Sequence, residues 1–131
     1  MKETKSRLHL DLIWVYDNDK RIIFYREPET TTKNQLDHNF QEIKKMTRSF
    51  EDFFMILDLT VAKRPNAEIR QYILEKFELV KNKLSHVAVV TGKNFIINMA
   101  VTFILRKSKL KSYSIQKTLA EAEKSIDDKI N

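Results

Sequence analysis

The 131-residue chain carries one glycine, two prolines and no cysteine, which excludes disulfides, thiol catalysis and cysteine-ligated metal and argues for long regular elements over a loop-rich barrel. Hydrophobic residues at 42% and charged residues at 32% describe a folded globular chain, long enough for one core and short for two. A formal charge of +6 favours acidic partners, but the excess is spread along the chain and is denser only at "RKSKLK" (106–111), where lysines also suit a helix C-terminus.

The start "MKETKSRLHL" has no apolar signal region, and the longest apolar stretch, "FIINMAVTFIL" (95–105), is too short to span a bilayer. Together with the absence of cysteine, this gives the expectation of a cytoplasmic protein that does not span a membrane.

In chain order, "LHLDLIWVYD" and "KRIIFYRE" are β-branched and aromatic runs flanking Asp17, Asn18 and Asp19, which predicts a β-hairpin closed by Pro28. Thr30, Thr31 and Thr32 offer N-caps for a helix with Leu36, Phe40, Ile43 and Met46 on its apolar face. "FFMILDL" is a continuous apolar run, as expected of a central strand covered on both faces.

After Pro65 the spacing of Ile69, Tyr72, Ile73, Phe77, Val80 and Leu84 predicts one long amphipathic helix. "HVAVVT" then reads as a buried strand closed by Gly92, and 94–105 as a helix apolar on more than one face. "KSYSIQ" is a short polar strand suited to an edge, and Thr118 with Glu121 makes a capping box for a last helix carrying Leu119, Ala122 and Ile126. The order β-β-α-β-α-β-α-β-α predicts a single α/β domain over 1–131, with a mixed, mostly parallel sheet, an N-terminal hairpin and about four helices.

Candidate chemistry is sparse. His9, His38 and His86 have no metal-ligand spacing, Asp11 and Asp17 do not point to one site, and no nucleophile motif is present. No catalytic residue, metal or cofactor is therefore expected. Ligands of open α/β sheets tend to sit beyond the carboxyl ends of parallel strands. That places the candidate ligand- or partner-binding residues at two strand ends: Thr60, Lys63, Arg64 and Asn66 at the first, and Thr91, Lys93 and Asn94 at the second. If the strands are neighbours, two helix N-termini and three cations lie on one side, an arrangement suited to an anion.

The apolar residues of 94–105, among them Phe95, Ile96, Met99 and Phe103, exceed the roughly 100° face that a surface helix buries. Either the helix is enclosed between the sheet and a neighbour, or its surplus face meets a partner protein, a second subunit or an acyl chain. Aromatic residues lie in apolar segments rather than among Lys and Arg, which argues against nucleic acid.

The segments "MILDLTVAKRPNAEIRQYI", "HVAVVTGKNFIINMAVTFIL" and "SYSIQKTLAEAEKSI" together resemble the STAS domain superfamily, in its stand-alone, SpoIIAA-like (STAS/SEC14-like) bacterial form. In the antagonist branch of that family, the loop after the Asp-Leu strand leads to an Asp-Ser pair whose serine is phosphorylated. Aligning Asp58, Leu59 and Thr60 with that strand end puts Asn66 and Ala67 opposite the pair, and neither has a hydroxyl. The resemblance therefore implies a non-catalytic regulatory or protein-interaction module without the phosphoswitch, possible as a homodimer through the 94–105 helix. The alternative is a carrier or sensor for a small hydrophobic or anionic ligand.

Overall fold

The computed structural model describes residues 12–130. Its elements run β1 (Ile13–Asp17), β2 (Ile22–Arg26), α1 (Lys33–Met46), β3 (Phe53–Asp58), α2 (Ala67–Glu78), β4 (Leu84–Val90), α3 (Phe95–Ser108), β5 (Tyr113–Gln116) and α4 (Leu119–Ile130). The α/β architecture with a mostly parallel sheet is as the sequence predicts. The N-terminal part of the first predicted strand, including His9 and Asp11, lies outside the described residues.

The five strands are ordered β1-β2-β3-β4-β5. β1 pairs antiparallel with β2, and the remaining pairs are parallel. Every residue of β3 is buried, which explains its unbroken apolar run, whereas polar β5 lies at an edge. Successive right-handed crossovers that always step in the same direction leave their helices on one face of a sheet. Accordingly α1, α2 and α3 share a single core with that face, built around Phe40, Phe77, Met55, Val87 and Val101. Phe40 meets Tyr25 and Phe77 edge-on, with centroids 6.0 and 5.3 Å away.

The opposite face is covered by α4, through Ala122 and Ile126 against Phe54, Ile56, Ala88 and Val90. The hairpin aromatics join the same cluster, and α4 also meets the hairpin turn, where Lys20 Nζ donates to Asp127 Oδ1 at 2.9 Å. Trp14 stacks on Phe24 at 4.4 Å, and the Arg26 guanidinium lies 5.4 Å from the Phe24 ring centre. No helix among the described residues is long and apolar enough to cross a membrane.

Local signals set several boundaries. Thr32 is the cap of α1, accepting from Gln35 N, and Thr118 and Glu121 form the expected box, each side chain accepting from the other's backbone N–H. One boundary differs from the periodicity. The second helix stops at Glu78, and Leu84 opens β4 instead of extending the helix. Val80 and Leu84 keep the helical spacing because both are core residues, but the chain between them turns, with Lys83 N and Leu84 N both donating to Val80 O.

His86 of β4 is fully enclosed beneath α4. Its Nδ1 meets Ser112 Oγ at 2.7 Å, and its Nε2 meets Ser114 and Ser125 Oγ, each at 3.0 Å. Burial, with a smaller push from Lys129, pulls its pKa down from 6.5 to about 4. Between those values the unfolded chain binds a proton that the folded chain refuses. The contribution of His86 is therefore complete above pH 6.5 and declines as pH falls toward 4. The expected decline is about 1.4 kcal/mol per pH unit, read from urea unfolding, and His86→Gln should remove this component of the slope.

Candidate functional site

The parallel register of β3 and β4 brings their carboxyl ends side by side, as the strand-end argument required. Leu59 N donates to Val90 O, continuing the pairing past Asp58. Asp58 anchors the first end: one carboxylate oxygen accepts from Arg26 Nε at 3.0 Å, and the other accepts from the Thr60 backbone and hydroxyl at 2.9 and 2.7 Å. At the second end Gly92 has φ +60°, a left-handed conformation that glycine adopts without strain, and a Cβ there would lie 3.3 Å from Thr60 Cγ2.

The two asparagines start the next helices. Asn66 Oδ1 accepts from Ile69 N at 2.8 Å, and Asn94 Oδ1 accepts from Ile97 N at 3.3 Å. Asn94 has a second task, because its Nδ2 donates to Ala62 O at 3.0 Å and ties the 59–66 loop to the start of α3. Thr91 is buried, with its backbone N–H on Gln116 O. Lys63 faces Glu29 at 3.5 Å, while Arg64 and Lys93 form no ion pair among the described residues.

Beneath the first strand end lies a cavity of about 240 Å³ between the helix-covered face of the sheet and α1, α2 and α3. Its walls are mainly apolar: Leu57 from β3, Leu36 and Phe40 from α1, Ile73 and Phe77 from α2, and Val101 and Leu105 from α3. It reaches the surface among the exposed residues Glu29, Thr30, Lys63, Arg64 and Asn66. Thus Lys63, Arg64 and Asn66 of the expected site line the cavity, whereas Thr60, Thr91, Lys93 and Asn94 do not.

The polar part of the wall was not foreseen from sequence. It comprises Tyr25, Glu27 and Thr31, backed by Asn39. Gln35 Nε2 donates to Asn39 Oδ1 at 2.8 Å, and Asn39 Nδ2 donates to Tyr25 Oη at 3.0 Å. Burial pushes the Glu27 carboxyl above its usual range, opposed by the Tyr25 and Thr31 hydroxyls beside it. Burial, then the nearby Glu27 charge, also raises the Tyr25 phenol. A sequence signal did exist: Asn39 lies beside Phe40 on the stripe of Leu36 and Ile43, a polar residue in a core position.

No family model matches the chain, and neither a curated protein nor a solved structure matches it.

The double role of Asn94 is separable. Asn94→Asp keeps the cap oxygen but loses the donor to Ala62 O, whereas Asn94→Ala loses both. Urea unfolding should show Asn94→Ala destabilised by about 1–2 kcal/mol, with Asn94→Asp between it and the unmodified protein.

Proposed function

We propose that this chain is a cytoplasmic, non-catalytic binding module of STAS-like architecture whose ligand is a small, largely apolar molecule held in the cavity under α1–α3. The observation that carries the reading is the cavity itself, with apolar walls, a polar patch of Tyr25, Glu27 and Thr31, and an outlet at the 59–66 loop. Pockets of this kind, apolar with a few convergent polar groups, are the usual form of small-molecule sites. This gives the carrier or sensor alternative more support than the interaction module favoured from sequence. An apolar cavity of about 150 Å³ accepts benzene, so 240 Å³ suits a body of roughly ten non-hydrogen atoms.

A second reading is favoured by a separate observation. Phe95, Ile96, Met99 and Phe103 of α3 are 84%, 62%, 75% and 50% exposed, while Ile97, Ala100, Val101, Ile104 and Leu105 of the same helix are buried. The surplus apolar face supports self-association through α3, with a second copy covering the stripe. The two readings are compatible, because they use opposite faces of one helix.

Native mass spectrometry of protein purified gently from cells is expected to show a small adduct lost on denaturation. Indole, added as a probe of suitable size, should raise the melting temperature by a few degrees, and Ala100→Phe should abolish that shift by filling the cavity. Absence of both the adduct and the shift would defeat the binding reading. Sedimentation velocity tests the second reading: a dimer is expected, reverting to monomer on combined Phe95→Ser and Met99→Ser substitution. A strictly monomeric unmodified protein at high micromolar concentration would defeat it.

A further inference from the structure

One carboxyl on the cavity wall has no counter-ion. Glu27 lines the cavity beside Tyr25 and Thr31, and both hydroxyls are its hydrogen-bonding neighbours. Asn39 Nδ2 donates to Tyr25 Oη at 3.0 Å, which leaves the phenol its own proton to give toward Glu27. The surroundings thus supply hydrogen-bond donors to a carboxylate but no positive charge. No lysine, arginine or histidine among the described residues pairs with Glu27: Arg26 bonds Asp58, Lys63 faces Glu29 and Lys33 reaches Glu68.

Burial holds the Glu27 pKa above its usual range, and the two hydroxyls offset that shift only in part. A carboxylate withdrawn from water without a cation is poorly compensated. It has about four acceptor positions, and two hydroxyls leave about two of them open. The open positions and the missing charge call for the same complement, a cation with several N–H donors. The rest of the wall is mainly aliphatic and aromatic.

Resting on the cavity-binding reading, we infer that the ligand is an amine, whose ammonium head pairs with Glu27 while its apolar body lies against Leu36, Phe40, Ile73 and Val101. The fold has already withdrawn Glu27 from water. An arriving ammonium therefore loses only its own hydration, and it gains a charge-assisted hydrogen bond where screening is weak. An alcohol gives Glu27 one hydrogen bond and leaves its charge unmatched. A carboxylate head would meet Glu27 with like charge. Turned outward it would find Lys63 and Arg64, but both are exposed, and water and salt screen their charges.

Three compounds sharing one chain length provide the test: octylamine, octanol and octanoate, titrated at pH 7 by calorimetry. Octylamine is expected to bind roughly tenfold more tightly than either of the others. Glu27→Gln keeps an acceptor oxygen for the two hydroxyls and removes the charge. It should lower octylamine to the affinity of octanol and leave octanol unchanged, which also shows that the cavity is intact. Glu29→Gln at the outlet should leave octylamine unaffected, and raising the salt to about 0.5 M should weaken it little, because a pair inside the cavity is screened less than one at the surface. An advantage lost in Glu29→Gln but kept in Glu27→Gln would overturn the assignment to Glu27. Octanol or octanoate binding the unmodified protein as tightly as octylamine would overturn the amine inference while leaving the cavity as a ligand site. Failure of all three to bind would overturn both.

Discussion

The helix layer and the cavity within it depend on the unreversed strand order of the parallel strands. From β2 to β5 each new strand is added on the same side of the last, so three crossover helices must share one face. A doubly wound sheet reverses its order and opens a crevice at the reversal, where ligands collect. The parallel strands here have no reversal. The space available to a ligand instead lies within the helix layer, where α1, α2 and α3 meet over the carboxyl-terminal parts of β2 and β3.

The same constraint explains the imbalance between the two faces. Three helices give one face a thick cover, whereas among the described residues α4 is the helix on the other, packed on β3, β4 and β5 and bonded to the hairpin turn at Lys20. On the hairpin side of that second face the aromatic residues of β1 and β2 pack together beside α4. Stacked Trp14 and Phe24, with Tyr16 at 5.7 Å from Phe24, bury large aromatic areas in the cluster that α4 shares. Beneath α4, the enclosed His86 is tolerated because serines on β5, on α4 and on the turn before β5 satisfy both ring nitrogens.

Much of the fold was legible in the residues. The buried run of β3, the box of Thr118 and Glu121 and the polar edge strand each have a local cause, so a short window of sequence contains it. Leu84 shows where this fails: the apolar period of α2 runs through the following turn because the same core demands Val80 and Leu84 from either side of it. The lining of the cavity was only half visible. Strand-end reasoning named Lys63, Arg64 and Asn66, which lie at the cavity outlet. It could not find Glu27, Tyr25 and Asn39, which become one network only when α1 docks against β2, a long-range event with no signature of its own in the chain. Asn94 was expected at a helix start, but its hold on Ala62 O crosses more than thirty positions and is a product of the finished fold.

The two-sided character of α3 has a thermodynamic corollary. Val101 and Leu105 form cavity wall, while Phe95 and Met99 on the same helix face solvent, and Asn94 fixes the helix start to the loop at the cavity outlet. A rigid helix cannot adjust one side independently of the other. Should an occupant shift α3, it would alter the affinity of whatever covers the outer stripe, and linkage requires that cover to alter the occupant's affinity by the same factor. Occupancy and association would then be two readings of a single equilibrium, and the inner surface of the cavity could be sensed from outside the molecule without any residue of the cavity being touched.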